Sequence, residues 1–323
     1  GEFEKAYLVI KEARELWRLL ENEVMLADSL GSEAEARLNA VEFDLALECS
    51  RQALQITERI ENLWGQSYDR MLMAFVLLET GKLGPGIQLA EQSIQLANRA
   101  GLIASGIGLR SELAWVYSYC GVLETGLARI DDALRVAETK QPAWKAFPQA
   151  AKIRMYLLQG DVQSAQLLAG DHVLEPISIP YARYTIFLSL ANIELAIARG
   201  DYTSALSLVE NLLHEVVPLT RVDIPEVLRW KAKALLGLGR IDESHSILTE
   251  ARSLADESGC NLHLVSVLAD LAGVNAELGQ HQEAELHRQQ ARTLVQQMAE
   301  SLREVGLRDS FLNQPRVRQL IRS

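Results

Sequence analysis

A chain of 323 residues is near the upper limit for one hydrophobic core, so two domains or a repeat array are the natural organisations. Its 48% hydrophobic and 6% aromatic content, rich in Leu and Ala, favours helix over sheet. The net charge of −11 repels phosphate backbones and argues against a nucleic-acid partner, and the most apolar stretch, 181–198, is interrupted by Arg183, Asn192 and Glu194 and is too short to cross a bilayer comfortably.

Taken in chain order, the elements repeat. Turn glycines recur at Gly81, Gly121, Gly160, Gly200, Gly239 and Gly279, at intervals of 40, 39, 40, 39 and 40 residues. Five residues after each comes a small residue: Gly86, Gly126, Ala165, Ala205, Ser244 and Ala284. Twelve after come Ser93, Ala133, Ala251 and Ala291, with His172 and Leu212 as exceptions. Seven before each glycine stands an apolar residue: Ala74, Ala114, Ile153, Ile193, Ala232 and Ala272. Each unit therefore reads as helix, glycine turn, helix, with small residues where the two helices cross closely. Asp161 and Asp201 are placed to cap second helices, and Pro85 falls in a first helical turn. An apolar stripe of about Leu206, Val209, Leu213 and Val216 is expected to be buried.

Stepping the register back predicts a degenerate turn at Val41, supported by Ala46 and Ala53, and then one at Gly1, supported by Ala6 and Ala13. The chain thus reads as beginning with the second helix of a repeat whose first helix precedes Gly1. The expectation is a native chain that continues upstream, or an end covered by something else. The predicted organisation is a repeat array over 1–305, with turns near 41, 81, 121, 160, 200, 239 and 279, and a capping tail over 306–323. The tail carries Arg308, Arg316, Arg318 and Arg322 against Asp309, which predicts a solvated helix end.

This register resembles the tetratricopeptide repeat, most strongly over Ile153–Leu168, Ile193–Leu208 and Ala272–Ala291. The period near 40 exceeds the family norm, so either the second helix or the connection to the next unit must be longer. The large aromatic usual early in the first helix is mostly absent. Long units of this kind are similar to the sensor arms of bacterial signal-transduction ATPases (STAND), including LuxR-type regulators related to the maltose activator, and to the C-terminal arms of class III nucleotide cyclases. The segment from Leu307 to Leu320 is similar to the close of many such arms. The resemblance implies an all-α, right-handed superhelical solenoid of antiparallel hairpins, and a cytoplasmic, bacterial, protein-binding role in signal transduction.

By the family pattern, the first helix of each hairpin lines the concave face. The residue six before each turn then points inward: Glu35, Phe75, Trp115, Arg154, Glu194, Lys233 and Gly273. Tyr119, Ala150 and Arg229 join that ladder from two and ten before. It varies in size and sign, as a contact surface does. Trp115 and Tyr119, four apart, make an aromatic platform. Arg154, Arg229 and Lys233 are donors for a carboxylate or phosphate. The alternatives are that Trp115 packs against the next repeat and that the charges are ordinary solvated groups.

Chemical motifs are missing. Gly81-Lys82-Leu83-Gly84-Pro85-Gly86 lacks the ending of a phosphate loop, and Gly106-Ile107-Gly108 lacks the third glycine of a dinucleotide site. The six histidines and Cys49, Cys120 and Cys260 show no metal spacing or disulfide framework, which fits a reducing compartment. No enzyme, metal or cofactor is expected. The expected partner is a protein or peptide on the concave face. A small-molecule sensor domain of a LuxR-type regulator is the alternative, and self-association through the terminal repeats is a third reading.

Overall fold

The structure is a computed structural model that describes residues 2–170 and 182–322. Helix α1 (Glu2–Leu19) is followed by seven hairpins. They are α2 (Glu23–Asn39) with α3 (Phe43–Arg59), α4 (Leu63–Glu79) with α5 (Leu83–Ala100), and α6 (Ile103–Tyr119) with α7 (Leu123–Lys140). Next come α8 (Ala146–Leu158) with α9 (Val162–Ala169), and α10 (Ala182–Ala198) with α11 (Tyr202–Val216). Last are α12 (Ile224–Gly237) with α13 (Ile241–Ser258), and α14 (Asn261–Glu277) with α15 (His281–Ser301). Two short helices, α16 (Arg308–Leu312) and α17 (Pro315–Arg322), close the chain. Among the described residues there is no strand, and the chain is an all-α superhelix of hairpins.

All seven predicted turn residues have positive φ, from Val41 at 61° to Gly121 at 87°. So do Glu21, Glu61, Gly101 and Gly259, which sit between hairpins. The left-handed residue therefore recurs every twenty residues through the first half of the chain. Early helices such as α2 and α3 are each 17 residues long, joined by three-residue links. In the early hairpins the long period thus comes from two equally long helices, whereas in the last two the second helix is the longer, 18 against 14 residues and 21 against 17.

The small offsets mark the crossings. Ala165, Ala205 and Ala284 are fully buried, and the Ser244 hydroxyl donates to the Ala232 carbonyl at 2.9 Å. A Cβ on Gly126 would lie 2.6 Å from the Ala114 carbonyl oxygen, so only glycine fits. Asp161 and Asp201 cap their helices by accepting from Ser164 and Ser204 backbone N–H groups. The buried stripe of α11 is Ala205, Val209, Leu212 and Val216. The expected stripe was one residue out at Leu206 and Leu213, because Ala205 sets its phase. His172 lies outside the described residues.

The superhelix winds far enough for its ends to meet. Helix α14 packs on α4, and α15 on α5. One apolar cluster contains Ala34, Leu72 and Phe75 from the early hairpins and Leu268, Val295 and Phe311 from the end. Hydrogen bonds join distant turns too: the Arg221 backbone N–H donates to Asn39 O at 2.7 Å, and the Asn261 side-chain amide donates to Thr80 O at 3.1 Å. Helix α1 leaves Leu8, Val9, Leu16 and Leu19 exposed among charged residues such as Glu12 and Glu15. No described helix is long and apolar enough to cross a membrane.

Candidate functional site

Closing the superhelix turns its concave face into an interior. First helices of successive hairpins line a cavity of about 660 Å³, whose wall includes Trp115, Tyr119, Arg154, Glu194, Arg229 and His263. A second cavity of about 710 Å³ is lined by Glu35, Trp64, Tyr68, Phe75, Arg183 and Tyr184. Glu79 links the two. Its carboxylate accepts from Arg183, which faces the second cavity, at 3.0 Å. It also lies 3.0 Å from Nε2 of His263, which faces the first.

The predicted ladder is divided between these spaces. Phe75 is buried in the wall of the second cavity, beneath the Arg183 guanidinium at 4.3 Å. Trp115 and Tyr119 stack in the first, with ring centroids 5.3 Å apart, and Phe187 meets Trp115 edge-on. The platform and the packing role thus coexist. Arg154 is only 3% exposed and bonds Glu194 at 2.8 Å and Glu226 at 2.6 Å. Its guanidinium lies over Phe187. Arg229 pairs with Asp270 at 2.6 Å and Lys233 shares that carboxylate at 3.1 Å. Lys233 is not in the wall of the first cavity and meets it through Asp270.

The cations were expected as donors waiting for a ligand or as solvated groups. Instead they are already paired inside the protein. Burial of a lone charge is too costly, so each meets a carboxylate, two of them for Arg154 and a shared one for Arg229 and Lys233. In the arginine-rich tail Arg318 is exposed as expected of a solvated end, but Arg316 turns inward. Arg316 donates to the Tyr119 carbonyl and lies 4.0 Å from the centre of that ring, with Gln314 donating to the same carbonyl at 2.8 Å. Arg316, Val317 and Leu320 line the cavity.

The pairing sets the protonation. Burial would raise the Glu79 carboxyl, but the His263 and Arg183 charges hold it at about 2. Burial opposes a charged His263, yet Glu79, Glu226 and Asp223 lift it to about 9. Burial raises Asp223 to about 7 against the pull of Arg183. Glu194 and Glu226 share one guanidinium. Burial raises Glu194 to about 7, whereas Arg154, His263 and Arg229 overcome burial at Glu226 and hold it low.

Sequence reasoning missed Glu79, Glu112, Asp223, Glu226, His263 and Asp270, and took Arg183 only for a break in an apolar run. A signal existed. Asp223 and His263 both stand sixteen residues before their turn glycine, and Glu112 and Asp270 both nine before. Aligning whole first helices, rather than one offset, would have put them on the inner face.

Residues 1–273 match the family model of the MalT-like TPR region. The chain belongs to that family. No curated protein matches it. Among solved structures, this MalT-like region is similar to a Rap protein complexed with competence and sporulation factor, at 14% identity and a TM-score of 0.63, covering 86% of this chain and 76% of that one. It is also similar to the apo form of the quorum sensor NprR from B. thuringiensis, at 11% identity and a TM-score of 0.48, covering 91% and 96%. The Rap likeness shows that the MalT-like region shares the helical-repeat fold.

Proposed function

We propose that this MalT-like region is the sensing and interaction arm of a larger bacterial signalling protein, and that it takes a short peptide into its first cavity. The carrying observation is the closed concave face. Its aromatic stack, Trp115 on Tyr119, stands among ion pairs that present both donors and acceptors with little net charge. A peptide has the complementary features: two opposite terminal charges and apolar side chains. Arg229 and Arg316 suit its carboxylate, and Glu194 and Asp270 suit its amino group. That a Rap protein of similar fold is seen complexed with competence and sporulation factor supports a binding role for such a fold.

The volume, about 660 Å³, also suits a small polar molecule, which favours a metabolite-sensing arm of a LuxR-type regulator as the second reading. Thermal unfolding in the presence of synthetic oligopeptides, and separately of small polar metabolites, separates the two. The expected result is a raised melting temperature with peptides that is lost in Trp115→Ala. A shift with metabolites alone selects the second reading. No shift with either, or one indifferent to Trp115→Ala, refutes both.

A further inference from the structure

We propose that Glu79, Asp223 and His263 form a binding site for a divalent transition-metal ion. Glu79 ends α4 in the second hairpin, Asp223 immediately precedes α12 in the sixth, and His263 lies in the first turn of α14 in the seventh. Closure of the superhelix brings them together. One side-chain ligand atom from each lies within 4.8 Å of the others.

Two features distinguish this cluster from an ordinary ion pair. Asp223 Oδ2 is buried without a hydrogen-bond partner, and the buried Glu79 Oε2 and His263 Nε2 meet at 3.0 Å without forming a well-aligned hydrogen bond. Their residues are 1%, 7% and 8% exposed. Buried polar atoms nearly always have partners, so an orphaned carboxylate oxygen beside a misaligned ion pair points to a cation shared by all three groups. Once His263 gives up its Nε2 proton all three atoms are acceptors, and one water with two protons cannot satisfy them, whereas a single cation can. Bonds of about 2.0–2.2 Å from a zinc ion to nitrogen and oxygen set tetrahedral ligands roughly 3.4 Å apart. The 3.0 Å between His263 Nε2 and Glu79 Oε2 is close to that edge.

The surroundings fit a metal centre as well. Metal ligands are held by outer partners that orient them. Arg183 takes the other Glu79 oxygen at 3.0 Å and is itself held by Glu112 at 2.8 Å. On the opposite side of the imidazole, Glu226 Oε2 faces Nδ1 at 3.8 Å, and Arg154 fixes its other oxygen at 2.6 Å. In the metal-free chain the carboxylates keep His263 protonated, so a bound ion would displace the Nε2 proton while Glu226 favours the proton on Nδ1. His263 borders the first cavity, which supplies an entry path. One imidazole and two carboxylates suit Zn²⁺ or Mn²⁺ rather than a soft cuprous ion. Because one ligand comes from the second hairpin and two from the sixth and seventh, the ion would staple the superhelical closure.

The site is tested on the full chain after EDTA treatment and dialysis. Zn²⁺ titration by calorimetry should show one ion per chain, and the melting temperature should rise with free Zn²⁺. Co²⁺ should give visible absorption bands of a low-symmetry site with nitrogen and oxygen donors. Asp223→Asn and His263→Gln should each weaken binding at least ~10-fold, as loss of a ligand must exceed the effect of losing an outer partner. Mg²⁺, the control, should bind far more weakly. Absence of binding in the parent chain, or binding unchanged in both variants, would mean that the cluster is an ion pair and nothing more. If neither variant folds, the parent alone decides: a Co²⁺ spectrum of the hexaaqua ion overturns the proposal.

Discussion

Arg154 is a central cation of the interior. It is 3% exposed and holds two carboxylates at once. Removing it leaves Glu194 and Glu226 without the cation that is hydrogen-bonded to both. Arg154→Ala is expected to cost about 3–5 kcal/mol in chemical unfolding, the range for breaking a buried pair on one side. It is therefore unsuited as a probe of ligand binding, and Trp115 is the better choice. Asp69 is a contrasting residue. It is buried and accepts from the Thr57 hydroxyl at 3.0 Å, with no cation bonded to it, and burial lifts its carboxyl to about 7. An acid raised above its unfolded value of 3.8 lowers stability as pH climbs from about 4 to about 7, because the unfolded chain ionises first. Asp69→Asn removes that liability and keeps an acceptor. Its melting-temperature gain over the parent should be larger at pH 8 than at pH 5, and an equal gain at both would refute the shift. At this scale the sequence showed which residues point inward, since Trp115, Tyr119, Arg154 and Glu194 all do. It did not show their partners, because Arg154 and Glu226 are 72 residues apart and meet only after the superhelix winds.

Helices are set by two local devices, the small residue at the crossing and the left-handed residue at the turn. Ala205 is fully buried where α10 and α11 cross. Ala205→Leu should lose about 1–3 kcal/mol by overpacking, whereas Leu at the exposed Ser207 should be nearly neutral. Equal unfolding curves for the two variants would mean the crossing is elsewhere. Turns at Glu21, Val41 and Glu61 put side chains where glycine stands in later hairpins. At the exposed Glu61, φ is 55°, which an L-residue holds only with strain. Glu61→Gly is expected to stabilise by about 0.5–1 kcal/mol, the strain relief exceeding the entropy glycine adds to the unfolded chain. Val41 is a less clean test because its side chain also packs against the core.

The whole molecule depends on one superhelical turn resting on the next. A Cβ at Gly84 would lie 1.9 Å from the backbone oxygen of Ser301, which a rotamer change cannot relieve. Helix propensity alone predicts that Gly84→Ala stabilises by about 0.5–1 kcal/mol. Closure predicts the reverse: a lower melting temperature and a larger radius of gyration in small-angle scattering. Gly273, inside α14 with nothing within 4 Å of its would-be Cβ, is the control, and Gly273→Ala should stabilise by the propensity amount. If both variants stabilise alike, the contact between α5 and the end of α15 is not formed in solution.

The forty-residue register by itself determined the all-α class, the hairpin turns and the inner face of the first helices. These are local properties: a left-handed turn, a small residue at a crossing and a 3.6-residue period recur wherever the chain passes through the same geometry. The tertiary structure alone decided that the concave face closes into cavities, that the cations are neutralised from within, and that Glu79 meets Asp223 and His263. Those outcomes depend on the small rotation between successive hairpins, summed over five or six of them. No single repeat encodes that sum, so residues some 140 to 180 positions apart become neighbours without any sequence spacing to announce it.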